Sequence, residues 1–186
     1  MLGFQNNSQS LPAIPLARAA VEEPLWYAVH TMARHEKRVI KHFQEKQVCT
    51  FLPLVEHVRR WSDRLKKIEM PLFSCYAFVR IPPTAENRVK VLRTPGVIGF
   101  VGSEGQGTSI REEEIESLRT AIKHRVPCVE HPFLSAGKRV RIRGGCLDGM
   151  EGIFQGQGPD QRLVISVELL QRSISIRVDG YEIEMI

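Results

Sequence analysis

The sequence predicts an α+β protein: a ferredoxin-like α/β sandwich with an inserted β-hairpin, followed by a small five-stranded β-barrel. Two observations carry the first half. Between residues 25 and 125 the hydrophobic pattern runs strand, helix, strand, strand, helix, strand, helix. Within that order "EHVRRWSDRLKKIEM" forms two arms around a polar Ser62-Asp63 turn, with basic residues along both. A third observation carries the barrel. Residues 137–186 hold only short β-branched runs, "RVRIR", "EGIFQG", "RLVISVELL" and "ISIRV", separated by Gly, Pro-Asp or Gln-Arg turns.

Each element has its own signal. Residues 1–24 scatter Pro, Ser, Asn and Gln without a period and read as a disordered tail. "WYAVHT", 26–31, alternates aromatic and β-branched residues and is the first strand. "RHEKRVIKHFQEKQ" places Val39, Ile40 and Phe43 at helical spacing, with Thr31 as the expected N-cap. "CTFLPLV" is the second strand, and after the hairpin "LFSCYAFVRI" is a long third strand closed by Pro82-Pro83. "ENRVKVLRT" is a short helix that stops before Pro95, because proline pushes the preceding residue out of the helical region. "VIGFVG" is the fourth strand and "EGQGTS" a glycine-rich loop. The acidic first turn of "IREEEIESLRTAIKH" suits the positive end of a helix dipole. "RVPCVEHPFLSA", with two prolines and no period, is the linker, so the expected units are 25–125 and 137–186, joined by 126–136.

Composition narrows the function. An apolar fraction of 42% and a charged fraction of 25% are those of an ordinary globular protein. No run approaches the ~18 apolar residues of a membrane span. The N-terminus lacks the basic head and long apolar middle of a signal peptide. Cys49, Cys75, Cys128 and Cys146 form no C-x-x-C pair, which fits free thiols in a reducing cytoplasm. No G-x-S-x-G, H-E-x-x-H or phosphate loop occurs, and the six histidines include no metal pair, so neither catalysis, cofactor nor metal is expected.

Charge is unevenly placed. Residues 25–125 hold 18 Lys+Arg against 11 Asp+Glu, a net of +7, whereas 126–186 hold 7 against 8. Most of the excess lies in residues 34–67, with 10 basic and 4 acidic side chains. A patch of that kind attracts phosphate by steering and counterion release. In the barrel segment, Gly144, Gly145 and Gly149 suit positive φ in a tight loop, and Gly152 suits a turn or bulge.

"GKRVRIRGGCLDGMEGIFQG" resembles a KOW motif, the strand-loop-strand core of small SH3-like barrels in transcription and ribosomal proteins. "WYAVHTMARHEKRVIKHFQEKQVCTFLPLVE", "PLFSCYAFVRI", "VLRTPGVIGFVG" and "REEEIESLR" resemble the N-terminal (NGN) domain of NusG-type transcription elongation factors, and "RLVISVELLQRSISIRVDGYEIE" the end of their KOW domain. The resemblance covers residues 25–186 and implies a factor that rides on bacterial RNA polymerase. It would bind the clamp helices of the largest subunit, reach across the DNA cleft to the other large subunit, and suppress pausing or termination.

By that resemblance Phe73 and Tyr76 are the polymerase anchors, supported by Leu72 and Ile98, with Asn87 and Arg88 facing the other side of the cleft. Ser74-Cys75 stands where family members commonly carry Pro-Gly. Arg34, Arg38, Lys41 and His42 are expected near one face of the first helix. Arg38 and His42 match in type the positions with which a specialised, DNA-reading paralog contacts non-template bases, while Met32 and Ala33 stand where that paralog is basic. Arg59, Arg60, Arg64, Lys66 and Lys67 extend this DNA or RNA surface along the hairpin, with Trp61 placed to stack on a base. The near-neutral barrel is expected to contact proteins, Rho or a small-subunit ribosomal protein. "QRSISIRV" departs from the housekeeping pattern and points to a specialised paralog of the RfaH, UpxY or LoaP kind acting at specific operons. Its Val, Ile and Ser content favours a stable barrel. The competing reading is a KOW-type RNA-binding protein, acting on nascent or ribosomal RNA without clamping polymerase.

Overall fold

A computed structural model describes residues 23–61, 64–102, 105–131, 137–156 and 161–186. The expected tail therefore lies almost wholly outside the described residues, as does the Ser62-Asp63 turn. The first half runs β1 (Leu25–Thr31), α1 (Glu36–Glu45), β2 (Cys49–Phe51), β3 (Leu54–Trp61), β4 (Arg64–Pro71), β5 (Tyr76–Ile81), α2 (Ala85–Leu92), β6 (Val97–Phe100), β7 (Ser109–Ile110) and α3 (Glu112–Lys123). The second runs β8 (Val129–His131), β9 (Lys138–Arg143), β10 (Glu151–Gln155), β11 (Arg162–Val167), β12 (Arg172–Arg177) and β13 (Glu182–Met185).

The first sheet is antiparallel in the order β2-β5-β1-β6, with β7 also paired to β1. That is the split βαβ arrangement of a ferredoxin-like sandwich. Strand β1 is buried at nearly every position because both faces of the sheet are covered. On one face Tyr27, Val29, Val79, Ile81 and Phe100 pack with Val39 and Phe43 of α1 and Val91 of α2. On the other, Trp26, Ala28 and Phe78 pack with Ile115, Leu118 and Ala121 of α3.

Local chemistry accounts for where the elements depart from expectation. The second strand ends at Phe51 because Pro53 has no N–H to donate to a ladder, and β3 starts afresh at Leu54. Thr31 is the last residue of β1, not a helix cap; α1 begins at Glu36 behind His35. Thr84 does cap α2: its hydroxyl accepts the Asn87 amide at 3.3 Å. Strands β3 and β4 form a separate two-stranded ribbon, paired from Leu54↔Pro71 to Trp61↔Arg64.

In the second sheet β9, β10, β11 and β12 form a meander, with β13 added beside β9 and β8 beside β12. Its last five strands are those expected. The sixth, β8, comes from the segment expected to be a linker, where Val129, Glu130 and His131 pair with Ser175, Ile174 and Ser173.

Candidate functional site

The chain leaves the ribbon at Pro71 and turns through Leu72–Cys75 before β5 begins. The Leu72 amide donates to the Pro53 carbonyl at 2.8 Å, which ties the start of this turn to the foot of β3. At its end Cys75 has φ 68°, a left-handed conformation that side chains disfavour by roughly 1–2 kcal/mol. Two bonds hold it there. Its N–H donates to Glu36 Oε1 at 2.8 Å, and its carbonyl accepts the Thr31 N–H at 2.8 Å. Position 75 is where relatives were expected to carry glycine, the residue that adopts this conformation without strain.

The turn decides where the two expected anchors point. Residues 72–75, expected as the start of the third strand, are a turn, so strand alternation does not set the direction of Phe73. Phe73 is 0% exposed and lies edge-on to Phe78 at 6.3 Å, and Leu72 is buried. Tyr76, the first residue of β5, is half-buried and stacks on His30 at 5.4 Å with 29° between rings. His30 pairs with Tyr76 on one side and with Gly99 on the other. A Cβ at Gly99 would meet no atom within 4 Å, so the His30 ring has open space beside it. Ile98, next along the edge strand β6, is 59% exposed. The surface is therefore Tyr76, His30 and the notch at Gly99, with Leu72 and Phe73 as its floor. His30 escaped sequence reasoning because only the strand register brings it under Tyr76.

Asn87 and Arg88 are both half-buried and engaged in the fold. Asn87 Nδ2 donates to Thr84 Oγ1 at 2.8 Å. Arg88 donates to Gln106 Oε1, and its guanidinium lies 5.9 Å from the centre of the Tyr27 ring.

The basic residues lie on α1, in the turn before it and on the ribbon. Arg34 precedes α1, in a turn with φ 63°, but it is exposed, as are Arg38 and Lys41. His42 is half-buried, with Nδ1 3.4 Å from Glu45 Oε2. Lys37 reaches Glu69 at 3.6 Å and so sets α1 beside the ribbon. Lys66 is exposed, and Lys67 pairs with Glu56 at 3.4 Å. The side chains of Arg59, Arg60, Trp61 and Arg64 lie outside the described part of the structure. Their backbone register sets Arg59 opposite Lys66 and Trp61 opposite Arg64.

In the second sheet Gly144, Gly145 and Gly149 have φ of 78°, 66° and 79°, and the Gly144 amide donates to Asp148 Oδ1 at 2.6 Å. Gly152 sits in β10 rather than in a turn or bulge. A Cβ there would lie 2.6 Å from the Val164 carbonyl, so the residue permits close approach of β11. Arginines on β9 are neutralised by their neighbours: Arg141 Nε donates to Glu151 at 2.9 Å and Arg143 Nε to Glu184 at 2.6 Å. Cys146 Sγ lies 3.2 Å from the Tyr181 hydroxyl, and this bond raises the Tyr181 pKa. Among the described residues no group of three His, Cys, Asp or Glu side chains could hold a metal, and no helix is long and apolar enough to cross a membrane.

The chain is 29% identical over 174 residues to the transcription termination/antitermination protein NusG of Staphylococcus epidermidis, covering 86% of this chain and 94% of that one. It is 27% identical over 171 residues to the protein of the same name from Lactococcus lactis, covering 86% and 91%. Among solved structures, one described as domain interaction in Thermotoga maritima NusG matches with a TM-score of 0.49 at 21% identity, covering 88% of this chain and 98% of that one. Residues 24–119, just over half of the chain, match the family model described as transcription termination factor nusG, and the chain belongs to that family.

Proposed function

We propose that this protein is a transcription elongation and antitermination factor that binds RNA polymerase through the Tyr76–His30 surface and nucleic acid through α1 and the β3–β4 ribbon. The observation that carries the reading is the open flank of the Tyr76–His30 stack beside Gly99. A half-buried aromatic pair on a rigid sheet, with room beside it and an exposed Ile98, suits an apolar helix surface such as the clamp helices of the largest subunit. Leu72 and Phe73 support Tyr76 from beneath. The α2 start, with Asn87 and Arg88, is assigned to the other large subunit across the DNA cleft. No bond is made or broken in this reading: binding favours the closed, moving state of polymerase, and pausing falls.

The division of labour follows charge. Arg34, Arg38 and Lys41 are exposed and meet no acidic side chain within ion-pair distance among the described residues, so they are available to phosphate. The β9 arginines are neutralised, which suits the 137–186 unit to protein partners, Rho or a small-subunit ribosomal protein. The departures in "QRSISIRV" support a specialised paralog acting at specific operons.

The test is capture of bacterial RNA polymerase by the full chain, wild type beside Tyr76→Ala. Capture by the wild type alone supports the reading. Equal capture by both removes Tyr76 from the interface. Failure of the wild type to bind polymerase, with RNA bound instead, would favour the KOW-type RNA-binding alternative, which the basic ribbon also fits.

A further inference from the structure

His30 is a polar residue at a position the fold treats as core. On β1 it follows Trp26 and Ala28 on the sheet face that α3 covers, and those two are 1% and 0% exposed. His30 is half-buried, and Tyr76 stacks against one side of its ring. The surroundings are otherwise apolar: Tyr76 belongs with Leu72, Phe73 and Phe78 to one cluster, and Ile98 stands exposed on the neighbouring strand. A half-buried histidine in such a place normally bonds to its own chain. His35 and His42 do so, through Ala33 and Glu45. His30 meets no hydrogen-bonding partner among the described residues, and neither ring nitrogen is sealed from solvent. The open space beside it is the notch at Gly99, its cross-strand neighbour on β6.

We propose that His30 is the specificity-determining residue of this surface, and that it selects a partner helix carrying a carboxylate side chain opposite the Gly99 notch. This deepens the proposed polymerase contact and rests on it. An apolar helix laid over Tyr76 takes the His30 nitrogens out of water. A nitrogen left unpaired then costs its full desolvation, whereas a paired one returns a net gain. That difference discriminates between partners. Charge chooses the pairing group. Residues 25–125 hold 18 Lys+Arg against 11 Asp+Glu, so the field over this unit favours an anionic neighbour. A neutral imidazole always has one N–H to give a carboxylate, and the face of the Tyr76 ring favours the cationic form, which has two. The stack on Tyr76 and the register of β1 with β5 hold the ring in place before any partner arrives.

Titration of bacterial RNA polymerase with the full chain tests this, beside urea denaturation of each variant. His30→Phe keeps the ring stack but removes both nitrogens, so affinity should fall about tenfold or more with no loss of stability. His30→Gln restores a donor of similar reach and should recover most of that loss. His30→Glu sets like charges together and should bind more weakly than His30→Phe. Gly99→Val fills the notch at a position with room for a side chain, and so tests the surface itself. If Gly99→Val abolishes binding while His30→Phe binds like the wild type, the role of His30 is overturned and the polymerase contact stands. Recovery by His30→Glu would overturn it too, because the partner group would then be a cation. If Gly99→Val binds like the wild type, or the wild type does not bind, the surface is not the interface and both readings fall.

Discussion

The backbone amide of Cys75 donates to the carboxylate of Glu36 at 2.8 Å, across 39 residues of sequence, and so fixes a left-handed residue directly before Tyr76. The first turn of α1 thereby sets the conformation from which β5 departs. Cys75→Gly removes the side-chain strain, partly offset by the extra freedom of glycine in the unfolded chain. The expected outcome is a gain of up to ~1 kcal/mol, or roughly 2–4 °C in melting temperature. Glu36→Ala leaves the Cys75 N–H without its partner and should cost ~1–3 kcal/mol. Thermal and urea denaturation of the two variants read both effects; opposite signs are required.

Phe73 and Tyr76 separate under substitution. Phe73 is 0% exposed, so Phe73→Ala should lose ~3–5 kcal/mol of stability, the cost of a core cavity. Tyr76 is half-buried at the surface, so Tyr76→Ala should cost polymerase affinity instead, ~2 kcal/mol or about 30-fold. Urea denaturation and a polymerase titration on both variants decide it. If Tyr76→Ala proves the more unfolded of the two, the assignment of roles is wrong.

Much of this was legible from the chain itself. Period and turn residues gave the helices, the ribbon and strands β9–β13, because each element carries its own signal. What escaped depends on contacts between distant residues. The Leu72–Cys75 turn reads as strand by composition, and only the Glu36 bond reveals it as a turn. His30 gains its place from the register of β1 with β5 and β6. Strand β8 is three residues long between prolines, too short to show a period, and exists because β12 offers a free edge. Gly152 looked like a turn glycine, whereas its role is steric and set by β11.

That steric role is open to test. In Gly152→Ala the new methyl would sit 2.6 Å from the Val164 carbonyl and 2.9 Å from Leu163 Cγ, so β10 and β11 must separate. The expected cost is ~1–3 kcal/mol, typical of overpacking. Gly149→Ala meets open space and pays only for its positive φ, ~1–2 kcal/mol. Chemical denaturation should rank Gly152→Ala as the less stable, and the reverse order would assign the constraint to the loop.

Arg34, Arg38 and Lys41 make a counting prediction. If they neutralise about three phosphates, log affinity for nucleic acid should fall against log salt with a slope of about −2 to −3. Arg38→Ala should weaken binding across sequences alike and reduce that slope by about 1. Fluorescence anisotropy with a labelled oligonucleotide at several salt concentrations gives both numbers. A flat salt dependence would mean that the patch is a solvated face.

Burial sets the chemistry of the Cys128 thiol. Its Sγ donates to the Val126 carbonyl at 3.2 Å, and burial pushes its pKa up to about 11. The reactive species is the thiolate, so at pH 8 Cys128 should alkylate about 100-fold more slowly than a thiol of pKa ~9. Its rate should climb about tenfold per pH unit until pH nears 11. The same shift has a sign in stability. The folded pKa lies above the unfolded one, so the stabilising contribution is complete below pH ~9 and is lost as pH rises toward 11. Urea midpoints at pH 8 and pH 10 should therefore fall more in the wild type than in Cys128→Ala, the difference isolating this group from other alkaline titrations. Equal falls, or rapid alkylation of Cys128 at pH 8, would place the thiol in water and detach it from the core under β8.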